Sequence, residues 1–84
     1  MTAAESAVAE EIRRIARDEL RLEGVGRDDE ELAASLDSLA LLSLVVAVED
    51  RFRVILTEED AATARSLADL ARLVAARADA EVLP

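Results

Sequence analysis

Eighty-four residues with a 52% apolar share suffice for one compact core, because a chain this short buries only roughly 60–65% of the surface it exposes when unfolded. A net charge of −9 and a single aromatic residue, Phe52, argue against nucleic-acid binding, which needs a basic footprint and stacking platforms. The absence of Cys and His removes zinc sites, disulfides, thiol nucleophiles and His-based triads.

Richness in Ala, Leu and Val with two Gly and one Pro favours helix over sheet. The longest apolar run, 44–48, is far short of the ~20 residues of a membrane span. Acids at Glu5, Glu10 and Glu11 do not fit a signal peptide, so a cytoplasmic protein without a membrane partner is expected. Residues 4–22 read as a first helix. Thr2 and Glu5 have capping-box spacing, and Val8, Ile12, Ile15 and Leu22 share one face. Gly24 and Gly26 are placed to end it.

Residues 23–37 form a long acidic connection of net charge −5. Leu32 and Leu36 are expected to pin it to the core, with a short turn of helix around Asp29–Ala33. Connections this long in small domains tend to be functional. Its charge fits either steering toward basic surfaces or plain solubility. A second helix spans 38–52, capped by Asp37 or Ser38. Residues 58–63 form a short helix behind the capping box Thr57/Asp60, and 67–78 a last helix behind Ser66/Asp69. Its core face is Leu67, Leu70, Leu73 or Val74, and the stem of Arg77, with a frayed tail over Asp79–Pro84. The expected fold is all-α: a single domain over 1–84, ordered at about 4–78, with three main helices, one short helix and a long first loop.

The second helix carries two apolar stripes. Leu41, Val45, Val48 and Phe52 make one, with Leu44 beside it; Leu39, Leu42 and Val46 make another. A surface helix needs only one. A domain this small cannot bury a helix all round, so part of the second stripe should face water as a partner surface unless the 23–37 loop folds over it. Ser38, at the head of this helix, reads from spacing alone as a cap. Without His or Lys it cannot activate itself as a nucleophile, but another enzyme can modify it. A phosphate there would meet free amides and the positive end of the helix dipole.

The run Leu36-Asp37-Ser38-Leu39, with Phe52 fourteen residues after the serine, resembles the acyl carrier protein family. The similarity continues through Val48-Glu49-Asp50-Arg51-Phe52, the aliphatic link Val54-Ile55-Leu56, the acidic Thr57-Glu58-Glu59-Asp60 and Ser66-Leu67-Ala68-Asp69-Leu70. It covers about residues 32–75. The resemblance implies a small four-helix bundle of the acyl-carrier type. It implies 4′-phosphopantetheine, donated by coenzyme A, on Ser38, holding acyl groups as thioesters. Asp37 and Leu39 would be read by the phosphopantetheinyl transferase. Leu39, Leu42, Val46, Glu49 and Asp50 would meet partner enzymes, and Val48, Phe52, Leu56, Ala61 and Ala64 would shelter the acyl chain. The implied partners are that transferase, an acyl-loading ligase or acyltransferase, and a ketosynthase or other acyl-accepting enzyme. The carrier would be a monomer alone and not an enzyme, with no metal.

Departures from the family narrow the expectation. Ala34 and Ser35 replace a common Leu-Gly pair, Ser43 stands where fatty-acid carriers place an acid, and residues 38–56 are net neutral. These differences favour a free-standing carrier in polyketide or related specialised metabolism. An aminoacyl or peptidyl carrier is the alternative within the family. Outside it, the alternative is a small helical interaction module that binds through Leu39, Leu42 and Val46 with Ser38 only a cap.

Overall fold

The computed structural model describes residues 1–23, 25–27, 29 and 31–82, with side chains described up to residue 78. The first helix, α1 (Ala3–Arg14), opens on the expected box: Thr2 Oγ1 accepts the Glu5 amide at 3.1 Å, and Glu5 accepts the Thr2 amide at 2.9 Å. It runs on into one π turn, Ile15–Glu19, closed by the Leu20 amide on the Ile15 carbonyl. Ala9, Ile12, Ile15 and Ala16 are all fully buried. Ile12, Ile15 and Ala16 stand at the i, i+3, i+4 spacing of one helix face, and Ala9 extends it by a turn. Arg14 straddles the junction, bonding Glu11 before it and Glu19 after it. The helix ends sooner than the glycines suggested. Arg21 takes the left-handed conformation at φ 55, and Gly24 lies outside the described residues.

The connection does pin to the core through Leu32 and Leu36, both buried. Its helical turn, α2 (Leu32–Ser35), lies slightly later than expected. The Leu32 amide bonds the Arg65 carbonyl at 2.9 Å, and Glu31 bridges to Ser66, so this stretch is stitched to the region before the last helix.

Helix α3 (Ser38–Phe52) has the expected bounds. Leu44 and Val48 are its fully buried residues, while Leu41, Val45 and Phe52 are partly buried. The helix stops at Arg53, left-handed at φ 58, whose amide bonds the Glu49 carbonyl. A Cβ in that conformation costs about 1–2 kcal/mol, which glycine avoids. Arg53→Gly should therefore be more stable than Arg53→Ala by about 1 kcal/mol in urea unfolding, both variants lacking the charge. Equal midpoints would show that the backbone there is unstrained.

Beyond Arg53 the chain is extended, with Val54 buried and Ile55 exposed. Helix α4 (Glu58–Thr63) has the expected Thr57/Asp60 box but no buried residue. Arg77 of the last helix holds it, bonding the Ile55 carbonyl at 2.6 Å and Asp60 at 3.1 Å. The Thr57 amide first, then the Thr57 side chain and Arg77, keep the Asp60 carboxyl below its ordinary pKa, against the opposing effect of burial. Helix α5 (Leu67–Val82) starts behind the Ser66/Asp69 box and runs through part of the tail expected to fray. Of Leu73 and Val74, it is Val74 that is fully buried, together with Leu67 and Ala71. α5 packs chiefly on α1, and Arg51 of α3 joins α1 through Glu11 at 2.7 Å.

The result is an aliphatic bundle of three main helices and two short ones, the all-α class expected. Among the described residues there is no strand, and no helix is long and apolar enough to cross a membrane.

Candidate functional site

Two side chains could cap α3, and the structure assigns the task to Asp37. Its Oδ1 accepts the Ala40 amide at 2.8 Å. Ser38, the first helical residue, is left exposed, and its hydroxyl has no partner among the described residues. An unengaged hydroxyl at the positive end of a fifteen-residue helix suits a phosphodiester, because the helix dipole and first-turn amides favour an anion. The residues present therefore fit a phosphate-linked group on Ser38.

Down α3 from this serine, Leu39, Leu42 and Val46 are 74%, 59% and 54% exposed. The described residues of the 23–37 loop leave them uncovered. Ser43 turns its hydroxyl back onto the Leu39 carbonyl at 2.9 Å, satisfying itself within the helix. Of the two acids expected at a partner, Asp50 is exposed. Glu49 is partly buried and engaged, its carboxylate accepting the Leu56 amide at 2.9 Å and fixing the link into α4. Sequence periodicity could not show this, since the bond spans seven residues across the end of the helix.

Beside α3 lies a cavity of about 290 Å³. Its apolar walls include Leu32, Leu41, Val45, Leu56, Leu70 and Leu73, with Ala61 and Ala64 on the α4 side. Glu31, Asp60 and Arg65 are its charged lining residues. Of the five residues expected to shelter a chain, Leu56, Ala61 and Ala64 line this cavity. Val48 does not: it shares the Leu41–Val45 stripe but lies further down α3, fully buried in the core. Phe52 is also absent from the lining, with the Arg51 guanidinium 6.0 Å from its ring centroid. Leu41 and Val45, which sequence reasoning assigned only to a core stripe, supply the α3 wall. Their i,i+4 spacing was the available signal.

A family model described as a phosphopantetheine attachment site matches residues 10–74. The chain belongs to that family. It is a carrier protein of the acyl-carrier type, and domains of this family are where 4′-phosphopantetheine is attached covalently. Such carrier domains are generally not themselves catalytic. Neither the curated proteins nor the solved structures searched gave a match to this carrier.

Proposed function

We propose that Ser38 is the attachment residue and that residues 1–84, with a core at about 4–78, act as one carrier unit. The carrier delivers acyl groups to partner enzymes in polyketide or related specialised metabolism. The observation that carries this reading is the division of labour at the head of α3: Asp37 caps, and the Ser38 hydroxyl is exposed and free. When bound, the arm supplies a terminal thiol that holds the acyl group as a thioester. The chain's own part is to present the hydroxyl and to dock. Asp37 and Leu39 flank the serine within reach of a phosphopantetheinyl transferase. Leu39, Leu42 and Val46, with Asp50 beside them, offer a small apolar strip suited to weak contacts with loading and accepting enzymes. Tethering raises the local concentration of cargo at each partner. The near-neutral charge of 38–56, ending in the exposed Arg53, supports specialised partners over those of a fatty-acid housekeeping carrier.

Incubation with coenzyme A and a promiscuous phosphopantetheinyl transferase should add one 4′-phosphopantetheine to the intact mass, and none to Ser38→Ala. Because Asp37 supplies the cap, Ser38→Ala should change stability by less than about 0.5 kcal/mol. No adduct on the wild type, or an adduct that persists on the variant, overturns the assignment.

A further inference from the structure

The cavity beside α3 is apolar in its body and charged at its edge, and the charged groups there differ in how firmly they are held. Asp60 is committed: it accepts the Thr57 amide and pairs with Arg77 at 3.1 Å. Arg65 and Glu31 are not. Their contact is long, 4.0 Å, with side chains 75% and 60% exposed. The Arg65 backbone is fixed on both sides, its carbonyl taking the Leu32 amide and its amide bonding Asp69 at 3.2 Å. A rigid backbone therefore holds a loosely engaged guanidinium at the mouth of an apolar cavity, with a loosely engaged carboxylate beside it.

These two groups have complementary needs. A guanidinium only donates hydrogen bonds and a carboxylate only accepts them. A neutral hydroxyl does both, so a single hydroxyl can bridge the pair. An ammonium would meet Arg65, and a carboxylate would meet Glu31 and Asp60. A plain alkyl chain would fill the body of the cavity but leave both edge groups to water. Leu41 brings the α3 wall to within one turn of Ser38, about 5 Å of helix rise.

Resting on the attachment of the arm to Ser38, we propose that the carrier's cargo is a hydroxylated acyl chain. Its apolar body sits in the 290 Å³ cavity, and its hydroxyl is held by Arg65 and Glu31. Arg65 is then the residue that sets cargo preference.

The test loads the apo protein from octanoyl-coenzyme A or 3-hydroxyoctanoyl-coenzyme A with the promiscuous transferase. It follows cleavage of each tethered thioester by hydroxylamine, normalised to the same thioester of free coenzyme A. The hydroxylated cargo should be cleaved about fivefold more slowly than the plain one, the scale of one charge-assisted hydrogen bond in a partly exposed site. Arg65→Met should bring the ratio to about one, Arg65→Lys should restore part of it, and Glu31→Gln should lower it. Circular dichroism confirms the fold of each variant. Equal protection of the two cargoes by the wild type, or a preference that survives both Arg65→Met and Glu31→Gln, overturns the inference and leaves attachment at Ser38 intact. Failure of both loadings to add mass overturns attachment and inference together.

Discussion

Leu44→Ala should cost about 4 kcal/mol and lower the thermal midpoint by roughly 15–30 °C, read by far-UV circular dichroism and by urea titration. Leu44 is fully buried in the aliphatic core cluster, on a helix that packs on the π turn after α1. Removing its isobutyl group loses the transfer free energy of the buried atoms and leaves a void. Surrounding helices close such a void only in part. An 84-residue domain has little in reserve, since total stability near 0.05–0.15 kcal/mol per residue amounts to about 4–13 kcal/mol. The variant therefore loses a large share of what keeps it folded. Phe52→Ala, expected from sequence to be a large core deletion, should cost distinctly less because the ring is only partly buried. A Leu44→Ala loss below about 1 kcal/mol, or a Phe52→Ala loss larger than that of Leu44→Ala, would falsify the placement of the core on the Leu44–Val48 side of α3.

Helix starts were the most legible part of the fold. Thr2/Glu5, Thr57/Asp60 and Ser66/Asp69 form reciprocal boxes, because capping joins residues three apart and needs no tertiary partner. Helix ends were less legible. The first helix and α3 stop at Arg21 and Arg53, arginines in a conformation that sequence rules reserve for glycine. The packing of Val54 and Leu56 after α3 explains why the chain must turn at Arg53 rather than at a better residue. Ala9 and Ala16 were invisible as core residues, since alanine marks neither face of a helix. Ala9 is on α1, which packs closely on α5, and Ala16 is in the π turn, which packs on α3; both are fully buried.

At the site, the two-faced character of α3 was readable from spacing, and the exposed stripe is the one composition required. Which acid would remain free was not. Asp37 and Glu49 both turn back onto backbone amides, one at each end of α3, and only coordinates distinguish an acid facing a partner from an acid holding its own chain. The cavity wall was half readable for the same reason. Ala61 and Ala64 lie on α4, whose position depends on Arg77 reaching back from α5, a contact seventeen residues away from Asp60.

Leu42→Glu should have the opposite outcome to Leu44→Ala on the same helix. The two positions are about 200° apart around α3 at 3.6 residues per turn, and Leu42 is 59% exposed. A carboxylate there remains in water in the free carrier, so stability should stay within about 0.5 kcal/mol of wild type. Docking is where the substitution acts. Burying one leucine contributes about 1.5–3 kcal/mol, and a buried unpaired charge replaces that gain with a desolvation cost. With the promiscuous phosphopantetheinyl transferase as the partner, kcat/KM for modification of Ser38 should fall about tenfold to a hundredfold. A collapse of the thermal midpoint would make Leu42 a core residue. An unchanged kcat/KM would take the apolar strip out of the docking surface for that enzyme. Together the two variants separate what α3 does for the fold from what it does for the partner, which no substitution at Ser38 alone can do.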